Sequence, residues 1–63
     1  MSMDSSDWAN WAIVFRAGGR EAATAASRAA DPGAFVMNCL ARSLHEMGDR
    51  CSEIAEDLRE AGR

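Results

Sequence analysis

Apolar residues in the second half of the chain recur at alternating steps of three and four. This spacing places them on one side of a helix for more than three heptads. Asp31 is a preferred N-cap residue, and Pro32 is suited to a first helical position. The pattern therefore predicts a helix from Pro32 to about Ala61. Its apolar stripe consists of Met37, Leu40, Leu44, Met47, Cys51, Ile54, Leu58 and Ala61.

The first half of the chain repeats the same period. Asp4, Ser5, Ser6 and Asp7 are candidate N-caps, and their carboxylates suit the positive end of a helix dipole. The pattern predicts a first helix from about residue 6 to residue 30. Its stripe consists of Trp8, Trp11, Phe15, Gly18, Ala22, Ala25 and Ala29.

The Gly18-Gly19 pair allows two interpretations. Glycine ends many helices, so the pair could separate two short helices. Alternatively, it could form a notch in one continuous helix, because both glycines continue a run of small residues. We favour the notch, since a separate helix over residues 20–30 would have little but alanine methyl groups to bury. Small residues also lie beside both stripes and would let the two helices approach closely: Ala12, Gly19 and Ala26 in the first, and Ala41, Gly48 and Ala55 in the second.

Two helices of similar length joined by a very short link predict an all-α antiparallel helical hairpin. Residues 1–5 are expected to be a flexible N-terminus, and residues 6–63 a single domain. In this hairpin most large residues of one helix meet small residues of the other. The predicted neighbours are Trp8 with Leu58, Phe15 with Cys51, Ala22 with Leu44, and Ala29 with Met37.

A chain of 63 residues is short for a stable core of its own, because chains of this size bury only about 60 % of their unfolded surface. Cys39 and Cys51 on one helix would lie about 18 Å apart, which is too far for a disulfide. The segment from Trp8 to Phe15 is apolar nearly all round, as in a helix covered on more than one side. We therefore expect a homodimer in which two hairpins form a four-helix bundle.

Charge and composition narrow the function classes. The net charge of −3 comes with no basic stripe, so a nucleic-acid partner is not expected. The N-terminus lacks the basic region of a secretory signal, and its apolar run is too short to cross a membrane. Together with reduced thiols, these features predict a cytoplasmic protein without a membrane partner.

Candidate catalytic chemistry is sparse. His45, the single histidine, lies six residues from each cysteine and so shares a helical face with neither. Cys51 is expected in the core and Cys39 near an interface. No spacing suggests a nucleophile with a base and an orienting group, so we expect no enzyme, metal or cofactor.

Charged residues on the second helix form an acidic outer face between Glu46 and Glu60. It is either a solvated surface, or a docking face for a basic partner or a mimic of nucleic-acid charge. Pairs of Glu46 with Arg50 and of Glu56 with Arg59 are expected to offset part of its charge. Arg16 and Arg20 of the first helix are expected to face the stretch from Glu46 to Asp49.

The favoured function is that of a small protein-interaction module, a regulator or inhibitor that binds a partner protein as a homodimer. Aromatic and aliphatic anchors dominate such contacts. The predicted partner-binding residues are Trp8, Trp11, Ile13, Val14, Phe15, Phe35 and Cys39.

Two alternatives remain open. In layout the hairpin resembles the small plasmid-type RNA-binding hairpins that dimerise into four-helix bundles, although it shares no motif with them. That resemblance implies an RNA- or nucleotide-binding dimer using Arg16 and Arg20 across the two-fold axis. The other alternative is a component of a larger assembly.

Overall fold

The computed structural model describes residues 2–62. It contains two helices, α1 (Ser5–Arg28) and α2 (Gly33–Glu60), which pack against each other in an antiparallel hairpin. The predicted all-α hairpin is therefore confirmed. The predicted N-terminal segment and domain include Met1 and Arg63, which lie outside the described residues, and the flexibility of the N-terminus stays a prediction.

A capping box starts α1. The backbone N–H of Asp7 donates to Asp4 Oδ1 at 3.0 Å, and the backbone N–H of Asp4 donates to Asp7 Oδ2 at 3.2 Å. Asp4, one of the predicted candidates, is thus the N-cap, and the helix begins at Ser5.

The start of α2 differs from the prediction. Pro32 occupies the N-cap position with a backbone already near the helical region, and no side chain caps the helix. The prediction that Asp31 caps α2 was therefore wrong. Backbone carbonyls accept hydrogen bonds from N–H groups at the start of α2 instead: the N–H of Ala34 donates to the carbonyl of Ala30, and the N–H of Val36 donates to the carbonyl of Pro32.

The Gly18-Gly19 pair lies inside α1, so the chain has one continuous first helix with a notch. A Cβ at Gly18 would lie 3.5 Å from a methyl group of Leu44, and a Cβ at Gly19 would lie 3.0 Å from His45 Nε2. The notch therefore accommodates side chains of α2. The predicted register paired Leu44 with Ala22. In the structure Leu44 lies against Gly18, about one helical turn away along α1.

The interior of the hairpin is made of small residues. Every buried residue in the range 2–62 is alanine, glycine or cysteine: Ala12, Gly19, Ala22, Ala26, Ala41, Gly48, Cys51 and Ala55. Most of these lie beside the two predicted stripes. The larger stripe residues are only partly covered, and Leu40 and Met47 are each 43 % exposed. The helices thus approach through their smallest side chains.

Both helices carry the same pattern of small residues. In α1 it is Ala12, Gly19, Ala22 and Ala26, and in α2 the pattern recurs 29 positions later as Ala41, Gly48, Cys51 and Ala55. The contacts follow the same relation. Arg16 of α1 lies over Gly48, and His45, 29 positions after Arg16, lies over Gly19. The hairpin therefore has an approximate internal two-fold symmetry.

The hairpin is one layer thick. Its Cα atoms extend over 47 × 17 × 12 Å with a radius of gyration of 14.3 Å, whereas a compact domain of this length has a radius of about 11 Å. A single layer of two helices can bury one stripe of each helix, so apolar residues outside that stripe stay accessible.

Candidate functional site: an open apolar face

One broad side of the hairpin is apolar and uncovered. Large residues of both helices form it, and we call it the open face. Trp8 and Phe15 of α1 and Met47, Cys51 and Ile54 of α2 line a shallow groove there of about 460 Å³. The groove has a polar rim of Ser43, Glu46 and Arg50. The open face comprises Trp8, Trp11, Val14 and Phe15 of α1 and Val36, Leu40, Met47 and Ile54 of α2.

Helical geometry explains why these residues share one side. Trp11 and Phe15 are one turn apart on α1, and their rings lie 5.8 Å apart. Leu40, Met47 and Ile54 follow one another at seven-residue steps on α2, which keeps them on one stripe. Both stripes border the small-residue interior on the same edge, so the hairpin has one apolar side.

The predicted partner-binding residues fall on different sides of the hairpin. Trp8 and Phe15 are half-buried in the groove, while Trp11 and Val14 are exposed on the open face. Ile13 is 63 % exposed. It lines a second cleft with Arg16, Ser52 and Arg59, on the opposite side.

Phe35 and Cys39 belong to neither cleft. They lie one turn apart near the start of α2, on its outer side, and both are exposed. Phe35, at 68 %, is the most exposed large apolar side chain in the part of the chain that the structure describes. The structure therefore groups Trp8, Trp11, Val14 and Phe15 but not Ile13, Phe35 or Cys39.

Four members of the open face, Val36 among them, were not in the set of predicted site residues. The sequence pattern placed Leu40, Met47 and Ile54 in the stripe that was expected to pack inside the hairpin. Small residues occupy that interior instead, and the larger ones are left at its edge. The matched spacing of small residues in the two halves of the chain was the signal that could have revealed this arrangement.

The opposite side of the hairpin carries polar contacts between the two helices. Arg16 Nη2 lies 3.1 Å from Asp49 Oδ1 and donates to Ser52 Oγ at 2.9 Å. Arg16 thus faces the acidic stretch as predicted. Arg20 is exposed and forms no salt bridge within residues 2–62. Its backbone carbonyl accepts a hydrogen bond from Thr24 Oγ1.

The acidic outer face of α2 is exposed throughout. Its intrahelical ion pair differs from the predicted ones, because Arg50 Nη1 lies 3.4 Å from Glu53 Oε2 rather than bound to Glu46. Glu56 and Arg59 form no salt bridge among the described residues. Most of the negative charge on this surface is therefore available to solvent.

The cysteines are both free thiols, with Cys51 buried, as predicted, and Cys39 exposed. Within residues 2–62, no three side chains of His, Cys, Asp or Glu come together as a metal site. Neither described helix combines the length and the hydropathy that crossing a membrane requires.

Comparisons with protein families, with curated proteins and with solved structures find no match for this chain.

Proposed function

We propose that this chain is a small protein-interaction module that works as a homodimer and regulates or inhibits a partner protein by occupying its surface. In the dimer, two hairpins pair through their open faces and form a four-helix bundle. The protein contributes binding surfaces and carries out no reaction of its own.

The observation that carries the proposal is the division between a small-residue interior and an uncovered face of large side chains. Trp11 is 48 % exposed, and Leu40 and Met47 are each 43 % exposed. Burial of a fully exposed large apolar side chain is worth about 1.5–3 kcal/mol, so covering the exposed part of each of these would gain roughly half of that. A contiguous apolar surface of this kind marks an interaction site.

The size of the open face supports a paired state. The open face lies on the broad side of the hairpin, whose projected Cα dimensions of 47 × 17 Å give about 800 Å² for that whole side. Stable protein interfaces bury about 800 Å² on each partner. One hairpin therefore offers enough area for a specific dimer if most of this side is used.

Surfaces outside the open face would contact the regulated partner. Ile13 and Phe35 are highly exposed and lie on other sides of the hairpin, so pairing through the open face leaves them accessible. Protein interfaces combine an apolar core with a polar rim. The acidic outer face of α2 would supply the polar rim and favour a basic partner.

Sedimentation equilibrium at micromolar concentration tests the dimer. We expect the wild-type chain, of 6.8 kDa, to sediment with the mass of two chains. Met47→Glu places a charge in the middle of the open face and should shift the mass to that of one chain. Ile13→Glu is the matched control, because it adds the same charge on the opposite side and should leave the dimer intact.

A folded wild-type monomer at these concentrations would refute the dimer. Partner binding is tested separately, by crosslinking in the native host with the Ile13→Glu and Phe35→Glu variants. We expect both variants to remain dimeric and to lose the crosslinked partner protein. Unchanged capture of that partner by both variants would contradict the assignment of Ile13 and Phe35.

The proposal gives Arg16 and Arg20 no role at the dimer axis. Arg16 is bound to Asp49 and Ser52 on the side away from the open face. Salt-sensitive RNA or nucleotide binding that is lost in Arg16→Ala and Arg20→Ala would favour the alternative of an anion-binding dimer.

A further inference from the structure

The open face, together with the small residues Gly18 and Ala25 on the same side of α1, has a regular layout along both helices. Trp11, Gly18 and Ala25 follow one another at steps of seven on α1, and Leu40, Met47 and Ile54 do so on α2. Each step corresponds to about 10.5 Å along a helix. Gly18 and Met47 are therefore the midpoints of two stripes of equal length.

The two stripes run in opposite directions and overlap along the hairpin. Gly18 lies against Leu44, and Gly19 lies against His45, so the midpoint of the α1 stripe lies within about one turn of the midpoint of the α2 stripe. In an antiparallel pair with this register, Trp11 lies within about one turn of the level of Ile54, and Ala25 within about one turn of the level of Leu40. The open face is consequently thick at the tryptophan end and thin at the end near the interhelical link.

We propose that the occupant of this face is a second copy of the chain turned end for end, with the two-fold axis crossing the helices at Gly18 and Met47. This inference rests on the proposed homodimer and specifies its geometry. Trp11 then lies over Ala25 of the partner subunit, and Leu40 lies over Ile54 of the partner subunit. Gly18 and Met47 each meet their own counterparts at the axis.

Packing density favours this orientation. Protein interiors are close-packed, so the layers of a bundle should contain similar side-chain volumes along its length. End-for-end pairing sets the thick end of one hairpin on the thin end of the other. The two outer layers then contain the same four residue types, one each of Trp, Ala, Leu and Ile.

The other symmetric arrangement has its two-fold axis parallel to the helices. It would stack Trp11 on Ile54 of the partner subunit, and Ala25 on Leu40 of the partner subunit. One outer layer would then hold two Trp and two Ile, and the other two Ala and two Leu. The two hairpins could not pack closely at both ends without splaying, so the end-for-end arrangement is preferred.

Disulfide trapping tests the orientation. The background variant is Cys39→Ser with Cys51→Ala, in which the second change is mild because alanine occupies the matching position, Ala22, in α1. Met47→Cys in this background places two thiols at the axis within disulfide reach. We expect mild oxidation to convert most of the protein to a covalent dimer on a non-reducing gel.

The matched control is Leu40→Cys in the same background. Its two copies would lie roughly 21 Å apart along the interface in the end-for-end dimer, so we expect little self-crosslinking. An equimolar mixture of Leu40→Cys and Ile54→Cys chains should instead form a mixed disulfide. Circular dichroism and sedimentation before oxidation establish that each variant is helical and dimeric.

The contrary outcomes are distinct. Crosslinking of Gly18→Cys with Met47→Cys in a mixture, together with none for Met47→Cys alone, would overturn the orientation and leave the proposed dimer standing. Equal self-crosslinking of Met47→Cys and Leu40→Cys would also overturn the orientation. A monomeric background variant that remains fully helical, alongside a monomeric wild-type chain, would overturn both the orientation and the homodimer.

Discussion

The side chain of Arg16 crosses from α1 directly over Gly48 of α2, so that a Cβ at position 48 would lie 2.9 Å from Arg16 Cγ. The same Cβ would lie 3.3 Å from the backbone carbonyl oxygen of Ala12. The carbonyl cannot move without moving α1. Gly48 therefore sets how closely the two helices approach.

We expect Gly48→Ala to lower the free energy of unfolding by about 1 kcal/mol. Overpacking costs about 1–3 kcal/mol, and only about 1 kcal/mol is regained from the better helix propensity of alanine. Gly33→Ala is the matched control, because its Cβ would meet only Ala29 Cβ at an ordinary 3.6 Å. Urea denaturation of both variants measures the difference, and a Gly48→Ala variant as stable as Gly33→Ala would contradict the close approach.

Gly19 and His45 are expected to be energetically coupled. A Cβ at Gly19 would lie 3.0–3.1 Å from three atoms of the imidazole. In a His45→Ala background that obstacle is gone, so Gly19→Ala should stabilise the hairpin by about 1 kcal/mol through helix propensity alone. In the wild-type background the gain should be smaller, since the ring must be displaced.

A double-mutant cycle of denaturation experiments measures this coupling between Gly19 and His45. Identical effects of Gly19→Ala with and without His45 would show that the imidazole does not lie over the glycine.

The two aspartates at the predicted helix starts should differ in their effect on stability. Asp4→Ala removes the capping box of α1 and should cost about 1 kcal/mol. Asp31→Ala removes the same kind of side chain from a position that caps nothing, and should leave stability nearly unchanged. Thermal unfolding followed by circular dichroism compares the two. A larger loss for Asp31→Ala would mean that α2 begins one residue earlier, with Asp31 as its cap.

Arg16 and Asp49 form an ion pair whose two members should contribute unequally. The side chains of Arg16 and Asp49 are 39 % and 69 % exposed, and exposed pairs contribute about 0.2–1 kcal/mol. Asp49→Ala should therefore cost less than about 1 kcal/mol, with a smaller loss at high salt.

Arg16→Ala should cost more than Asp49→Ala, because it also uncovers Gly48 by removing the methylene groups that lie over it. Urea denaturation of the two variants at low and high salt measures the loss in the free energy of unfolding for each. Equal losses that both vanish at high salt would assign the role of Arg16 to charge alone.

Several features of this protein could be read from the sequence alone. The three-and-four spacing of apolar residues predicted both helices to within a few residues of their observed ends, since that period is a local property of each segment. Asp4 was among the predicted caps for the same reason. The sequence favoured a continuous α1 through Gly18 and Gly19 over a break, because a separate helix after the pair would have had little but alanine methyl groups to bury, and the structure decided between the two.

Only the tertiary structure decided which stripe faces inward. In each helix a stripe of large residues adjoins a stripe of small ones. The two stripes have the same period, so the spacing alone cannot show which of them packs in the interior. The choice depends on how closely the helices approach, and that distance is set by residues of both helices at once. Gly48 beside Ala12 and Gly19 beneath His45 permit close contact, and this contact leaves Trp11, Leu40 and Met47 on the open face rather than in the interior.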